Sequence, residues 1–321
     1  MMKKVYVSFK IPEQGIEELK KHFIVHVNQE DKAVSREWLV KNIKDYYGIL
    51  SMLHDKIDAE IMDAANGGLK IISNYAVGYN NIDIPYAVRS GITVTNTPGV
   101  LTVATAELAF ALMMSLLRNI PQSDRYVKNG EFDMWRPKFM LGEELTGKTV
   151  GIIGMGRIGC AFARMLAGFD NRIIYYNRHR ADNETESSLK AEYADLDTLL
   201  GESDIISIHA PLNEDTYHMF TYDTFTKMRR ESYIINTGRG AIIKEDDLAR
   251  ALKEGLIRGA GLDVYEFEPE VNKELVNMDN TVLLPHIGSG SFYARNTMSS
   301  MAAQAIIDLH LGKKPEHVVE A

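Results

Sequence analysis

The stretch Thr149–Gly159, TVGIIGMGRIG, constrains this chain more than any other. Val150 to Ile153 reads as a short apolar strand. It runs directly into Gly154-Met155-Gly156-Arg157-Ile158-Gly159, which matches G-x-G-x-x-G. In such a turn Gly154 allows the tight bend and Gly156 lets a pyrophosphate approach the backbone. Gly159 lets the next helix pack close to the strand. That helix, Cys160–Phe169, would aim its free N–H groups at the phosphates. A second strand, Arg172–Tyr176, follows. An ordinary strand–helix turn would leave three glycines at this spacing without a reason, so a dinucleotide site is expected.

The end of the second strand selects between nucleotides. An acid there accepts from the ribose hydroxyl in NAD-binding versions of the turn. Here the positions are Asn177, Arg178, His179 and Arg180, while Asp170 precedes the strand and Asp182 lies beyond the basic cluster. Arginine grips a phosphate with a planar fork. NADP(H) is therefore the expected cofactor and NAD(H) the alternative.

A length of 321 residues suggests two domains. Through the first hundred residues strand patterns (5–9, 24–27, 47–50, 70–73, 93–96) alternate with helical ones (14–22, 35–41, 58–65, 84–90). From Thr149 the rhythm restarts, with strands near Val150, Arg172, Ile205, Tyr233, Gly259 and Thr281. This is the rhythm of α/β folds. The expected architecture is two doubly wound parallel-sheet domains, Rossmann/flavodoxin-like, with a cleft between them. Residues 99–290 would form the dinucleotide domain. Residues 1–98, rejoined by a tail helix within 291–321, would form the substrate domain. The helical segment 102–118 is apolar on nearly every face, which predicts burial between domains or at a dimer contact. Residues 120–145, around Trp135, look less regular.

Composition excludes several classes. A net charge of −8 does not favour a nucleic-acid surface. No run of about 18 apolar residues exists, so no membrane span is expected. The single cysteine, Cys160, fits a reducing cytoplasm and reads as a packing residue. No metal site is expected.

Three further stretches could carry chemistry. Arg239 stands between glycines after the apolar strand 233–235; Glu268 lies in GLDVYEFEP, 261–269; His286 follows Leu284-Pro285. Singly, each has a plain reading: a surface ion-pair partner, a solvated acid, a satisfied core histidine. At the ends of three neighbouring strands, together, they could form an acid/base site.

Several motifs in this order resemble the D-isomer-specific 2-hydroxyacid dehydrogenase family, and within it the glyoxylate/hydroxypyruvate reductases. They are NYAVGYNNID (74–83), TVTNTPGVLTVATAELAFAL (93–112), the glycine turn, INTGRGAIIKEDDLARALKEG (235–255), GAGLDVYEFEP (259–269) and LLPHIGS (283–289). The resemblance implies that Arg239, Glu268 and His286 are the catalytic trio. It implies that the backbone of Val77 and Gly78, with Leu53, meets a small 2-oxoacid substrate. Thr105, Ala210, Pro211, Thr216, Thr237, Gly238, Asp263 and Gly288 would line the cofactor site beside the turn. It also implies a homodimer joined through the cofactor domains, with the Trp135 segment reaching the partner's site. The expected reaction is NADPH-dependent reduction of glyoxylate or hydroxypyruvate to the D-2-hydroxyacid. The alternatives are a dehydrogenase of bulkier, branched-chain 2-hydroxyacids using NAD, and a dinucleotide-sensing binding protein.

Overall fold

A computed structural model describes residues 2–320, which divide into two compact units. Unit 1 is Met1–Leu101 with Ser289–Ala321, and unit 2 is Thr102–Gly288.

In unit 1 the strands are β1 (Lys4–Val7), β2 (Ile24–Val27), β3 (Gly48–Ser51), β4 (Ile71–Asn74) and β5 (Thr93–Thr95). All pair in parallel, in the order β2-β1-β3-β4-β5. Every residue of β3 and β4 is buried, as expected of a parallel sheet covered on both faces. Side chains that cap orphan backbone N–H groups set the helix starts: Ser35, Asp58 and Asp83 each accept from the amide three residues on. The tail helix, Phe292–His310, packs on helix Glu13–Lys20. The contact is close because Gly15 has no side chain: a Cβ there would stand 2.2 Å from the Ser299 carbonyl oxygen. Ser299 Oγ accepts from Gly15 N at 3.1 Å and donates to the Pro12 carbonyl at 2.7 Å.

In unit 2 the strands are β6 (Thr149–Ile153), β7 (Arg172–Tyr176), β8 (Ala191–Tyr193), β9 (Ile205–Ile208), β10 (Tyr233–Asn236), β11 (Gly259–Leu262) and β12 (Thr281–Leu283). They form one parallel sheet in the order β12-β11-β10-β9-β6-β7-β8. The winding reverses between β6 and β9, and open sheets of this kind bind ligands at the strand C-termini beside such a switch point. The two sheets bear out the doubly wound α/β expectation.

Helix Thr102–Leu117 packs on β10, β11 and β12. Its buried residues, including Ala109, Leu112 and Leu116, are covered by its own unit. Gly259 and Gly261 of β11 make the room. A Cβ at Gly261 would meet Leu112 Cγ at 2.8 Å, and one at Gly259 would meet Leu116 Cδ1 at 3.2 Å. The next segment is not irregular throughout, since Ile120–Lys128 is a helix with a proline in its first turn. Among the described residues no single helix is long and apolar enough to cross a membrane, and these two helices are bent by 66° at their junction.

Candidate active site

The three glycines of the turn answer to three causes. Gly154 has φ +97°, and a Cβ there would also lie 2.6 Å from Ala210 N. At Gly159 a Cβ would meet the Gly154 carbonyl oxygen at 2.2 Å. Gly156 is different: its φ is −83° and no protein atom lies within 4 Å of a Cβ built there. Nothing in the protein requires glycine at 156, and the open space fits a ligand brought against the backbone. Helix Arg157–Met165 begins immediately after it. Among the described residues the amides of Gly156, Arg157 and Ile158 have no acceptor, so the turn presents free donors at a helix N-terminus. These are features that a bound dinucleotide's phosphates would use. Cys160 donates to the Met155 carbonyl at 3.5 Å, and burial pushes its thiol pKa up, away from reactivity.

The basic cluster after β7 separates into distinct parts. Asn177 Oδ1 accepts from Met155 N at 2.7 Å and ties the end of β7 to the glycine turn. Arg180 donates to both oxygens of Glu186, Nε to Oε1 at 2.8 Å and Nη2 to Oε2 at 2.7 Å. The Tyr175 hydroxyl donates to the same carboxylate at 2.6 Å. Arg180 first, then Tyr175, holds the Glu186 carboxyl down at about 2. Arg178 has one long pair, 3.5 Å to Asp215, and its side chain is 74% exposed.

On the other side of the switch point, Ala210 and Pro211 follow β9, and Thr216 Oγ1 donates to the Pro211 carbonyl at 2.7 Å. Thr237 is buried, with its hydroxyl 3.4 Å from His209 Nδ1. Thr105 donates to the Gly288 carbonyl at 3.1 Å.

The Asn236 carboxamide closes the turn that presents Arg239, accepting from Gly238 N and donating to the Arg239 carbonyl, both at 3.0 Å. Arg239 Nη1 donates to the Gly238 carbonyl at 2.8 Å. Burial pulls the guanidinium pKa below its ordinary value, and the charge of Glu268 opposes that pull. His286 Nδ1 lies 2.8 Å from Glu268 Oε2, while Glu268 Oε1 accepts from Tyr265 N at 3.1 Å. Burial alone would raise the Glu268 carboxyl; the His286 hydrogen bond and charge, the Tyr265 amide and Arg239 outweigh it and hold the carboxyl low. His286 has a left-handed backbone, φ +53°, uncommon for a residue with a Cβ. Asp263 holds that turn. It is 1% exposed, and its two oxygens accept from Ile287 N and Gly288 N, each at 2.7 Å. The structure thus makes Asp263 a brace for the histidine turn.

In unit 1, Leu53 follows β3 and is 37% exposed. Val77 and Gly78 follow β4, again at strand C-termini. Their carbonyls accept from Asn96 Nδ2 and Asn74 Nδ2, at 2.8 and 2.9 Å. Among the described residues their amides have no acceptor, so both N–H groups are available to an anion.

Sequence reasoning passed over His209, at the end of β9 beside the switch point. Its Nε2 is 3.0 Å from Ser207 Oγ, its ring packs on Phe162, and burial pulls its pKa down to about 3. The signal was present: a histidine that ends an apolar strand at the ligand-binding edge of the sheet.

Comparison with known proteins shows the family. The family described as D-isomer specific 2-hydroxyacid dehydrogenase, NAD binding domain, matches residues 110–288. A glyoxylate reductase of Pyrococcus horikoshii is 45% identical over 323 residues, covering 99% of this chain and 96% of that protein. Among solved structures, a glyoxylate reductase from Paecilomyes thermophila superposes with a TM-score of 0.89 at 32% identity, over 99% of this chain and 98% of that one. An NADPH-dependent glyoxylate/hydroxypyruvate reductase from Sinorhizobium meliloti, in complex with NADP and malonate, gives 0.86 at 31%, over 99% and 97%.

Proposed function

The chain belongs to the D-isomer-specific 2-hydroxyacid dehydrogenase family, as an NAD(P)-dependent oxidoreductase, and from that premise we propose that it reduces glyoxylate and hydroxypyruvate to D-2-hydroxyacids with NADPH. The observation that carries this reading is the His286–Glu268 pair, 2.8 Å apart, with the charge of Arg239 acting on the same carboxylate.

A bound nicotinamide would supply the hydride. Arg239 offers a planar cation to the carboxylate of a 2-oxoacid and polarises the neighbouring ketone. With Nδ1 facing Glu268, the imidazole keeps Nε2 free to give a proton to the developing alkoxide. Glu268 fixes the ring's tautomer and orientation. The free amides of Val77 and Gly78 would take the substrate carboxylate, and exposed Leu53 would limit the size of its side chain.

The amides around Gly156 would hold the pyrophosphate. Asn177, Thr237, Gly238, Ala210, Pro211 and Thr216 would surround the rest of the cofactor, with Thr105 and Gly288 beside them. NADPH is favoured because no acid ends β7 and Arg178 is free to meet a 2′-phosphate. The relative from Sinorhizobium meliloti, in its complex with NADP, supports the same preference. The homodimer belongs to this reading too, supported by the exposed apolar side chains of Phe132, Met134, Trp135 and Leu141 in unit 2.

The test is a panel of glyoxylate, hydroxypyruvate and 2-oxoisocaproate, each with NADPH and NADH, on wild type and His286→Ala. Small 2-oxoacids should lead the panel. The histidine variant should lose about 10²- to 10⁴-fold in kcat, the usual contribution of a positioned general acid, while still binding cofactor. A nearly fully active His286→Ala would refute the assignment of the proton donor, and no turnover by wild type would favour a cofactor-sensing protein.

A further inference from the structure

The loop that carries Arg239 and the loop that carries Glu268 are joined by two other carboxylates, to which the chemistry above gives no part. Glu245 is buried, 5% exposed; its Oε1 accepts from Glu266 N at 2.5 Å and its Oε2 from Asn272 N at 3.0 Å. Glu266 reciprocates, with Oε2 accepting from Glu245 N at 3.0 Å and Oε1 lying 2.6 Å from His218 Nε2. Each carboxylate thus closes on the backbone amide of the other. His218 is itself fixed to the Arg239 side of the seam, since its N–H donates to the Ala241 carbonyl at 2.8 Å. At the centre, Gly240 lies so close to the Tyr265–Glu266 peptide that a Cβ would fall 1.8 Å from the Tyr265 carbonyl carbon.

Two carboxylates side by side in a buried seam are an expensive way to hold loops together. Apolar side chains of the same volume would hold them without desolvating charge. What the carboxylates add is direction, because four hydrogen bonds fix the register of one loop on the other. Glu268 lies two residues beyond Glu266, and its Oε1 accepts from Tyr265 N, the residue against which Gly240 is packed.

We infer that Glu266, held by Glu245 and His218, is a positioning residue that sets where the Glu268 carboxylate, and through it the His286 imidazole, stands relative to Arg239. This rests on the reading of Glu268, His286 and Arg239 given above. Displacement of a reacting group by about 1 Å costs about 10²-fold, so a shift of a few tenths of an ångström has a measurable effect.

The experiment is a double-mutant cycle on the NADPH-loaded enzyme, with glyoxylate as substrate. Glu266→Gln should lower kcat about tenfold in the wild-type background, and less than about threefold when His286 is already Ala, because the group to be positioned is gone. KM for NADPH should stay within about twofold in both backgrounds. His218→Asn, which leaves the Glu245–Glu266 seam intact, gives a milder variant should Glu266→Gln fold poorly; it should lower kcat about threefold and show the same non-additivity. Equal losses in both backgrounds would mean general loosening and overturn the inference, as would full kcat in Glu266→Gln. A fully active His286→Ala enzyme overturns the reading of the pair, and this inference with it. An impaired His286→Ala in which Glu266→Gln still costs its full factor overturns this inference alone.

Discussion

The two arginines after β7 should respond very differently to removal. Arg178 is 74% exposed, and its one partner, Asp215, is 3.5 Å away and 68% exposed. An exposed pair at that distance contributes little, so the guanidinium gives up almost nothing when it turns to a phosphate. A charge-assisted phosphate contact is worth roughly 1.5–3 kcal/mol, or about ten- to a hundredfold in affinity. Arg178→Ala should therefore raise KM for NADPH by that factor and leave KM for NADH within about twofold. Arg180 is committed to Glu186 through two hydrogen bonds, 2.7 and 2.8 Å long, and Tyr175 completes the group. Its removal strands the Glu186 carboxylate, 12% exposed, without a cation. Arg180→Ala should lower the melting temperature and shift NADPH by less than about tenfold. The assay is kcat/KM for each cofactor at saturating glyoxylate, with thermal unfolding alongside. Equal losses of NADPH and NADH in Arg178→Ala would refute the reasoning, as would a larger NADPH-specific loss in Arg180→Ala.

Two further outcomes are expected. Arg239→Lys keeps the charge but loses the fork, so kcat/KM on glyoxylate should fall about ten- to a hundredfold with cofactor affinity unchanged; near wild-type activity would show that Arg239 does not hold the substrate. His209 makes acid stability a test of its burial. Its folded pKa is about 3 against an ordinary value of 6.5, so between those values the unfolded chain binds a proton that the folded one does not. Stability falls as pH drops through that window, by up to about 1.4 kcal/mol per unit and so by roughly 2 kcal/mol at pH 5. His209→Asn should flatten the change in urea midpoint between pH 7 and pH 5, and an unchanged slope would refute a neutral, desolvated His209.

The parallel sheets were legible because burial on both faces leaves continuous apolar runs, as in β3, β4 and β9. Two elements in unit 2 left no such trace. β8 is three residues, Ala191–Tyr193, with Glu192 and Tyr193 exposed and only Ala191 buried, so it leaves no apolar run in the sequence. Helix Ile120–Lys128 buries none of its residues and carries no apolar stripe facing a core. What marks it is Pro121 in the first turn and an i,i+4 pair, Asp124 with Lys128 at 2.7 Å.

For the candidate site, the sequence shows which residue types stand at strand ends but not what each one faces. The segment 261–269 makes the point, because it holds Asp263, Glu266 and Glu268 within six positions. No local pattern distinguishes them, since all three are carboxylates in one loop after one strand. Their partners lie 24, 21 and 18 residues away along the chain: the Ile287 amide for Asp263, the Glu245 amide for Glu266, and the imidazole of His286 for Glu268. One braces the turn that sets the histidine's backbone, one closes the seam to the arginine loop, and one meets the imidazole itself. Burial raises the carboxyl pKa of Asp263, whereas on Glu268 the imidazole, the Tyr265 amide and Arg239 overcome the same effect. Residues so alike in sequence acquire different chemistry only when two distant segments, at 245 and at 286–287, close on them. The position of an acid in such a loop therefore does not tell which of the three touches His286.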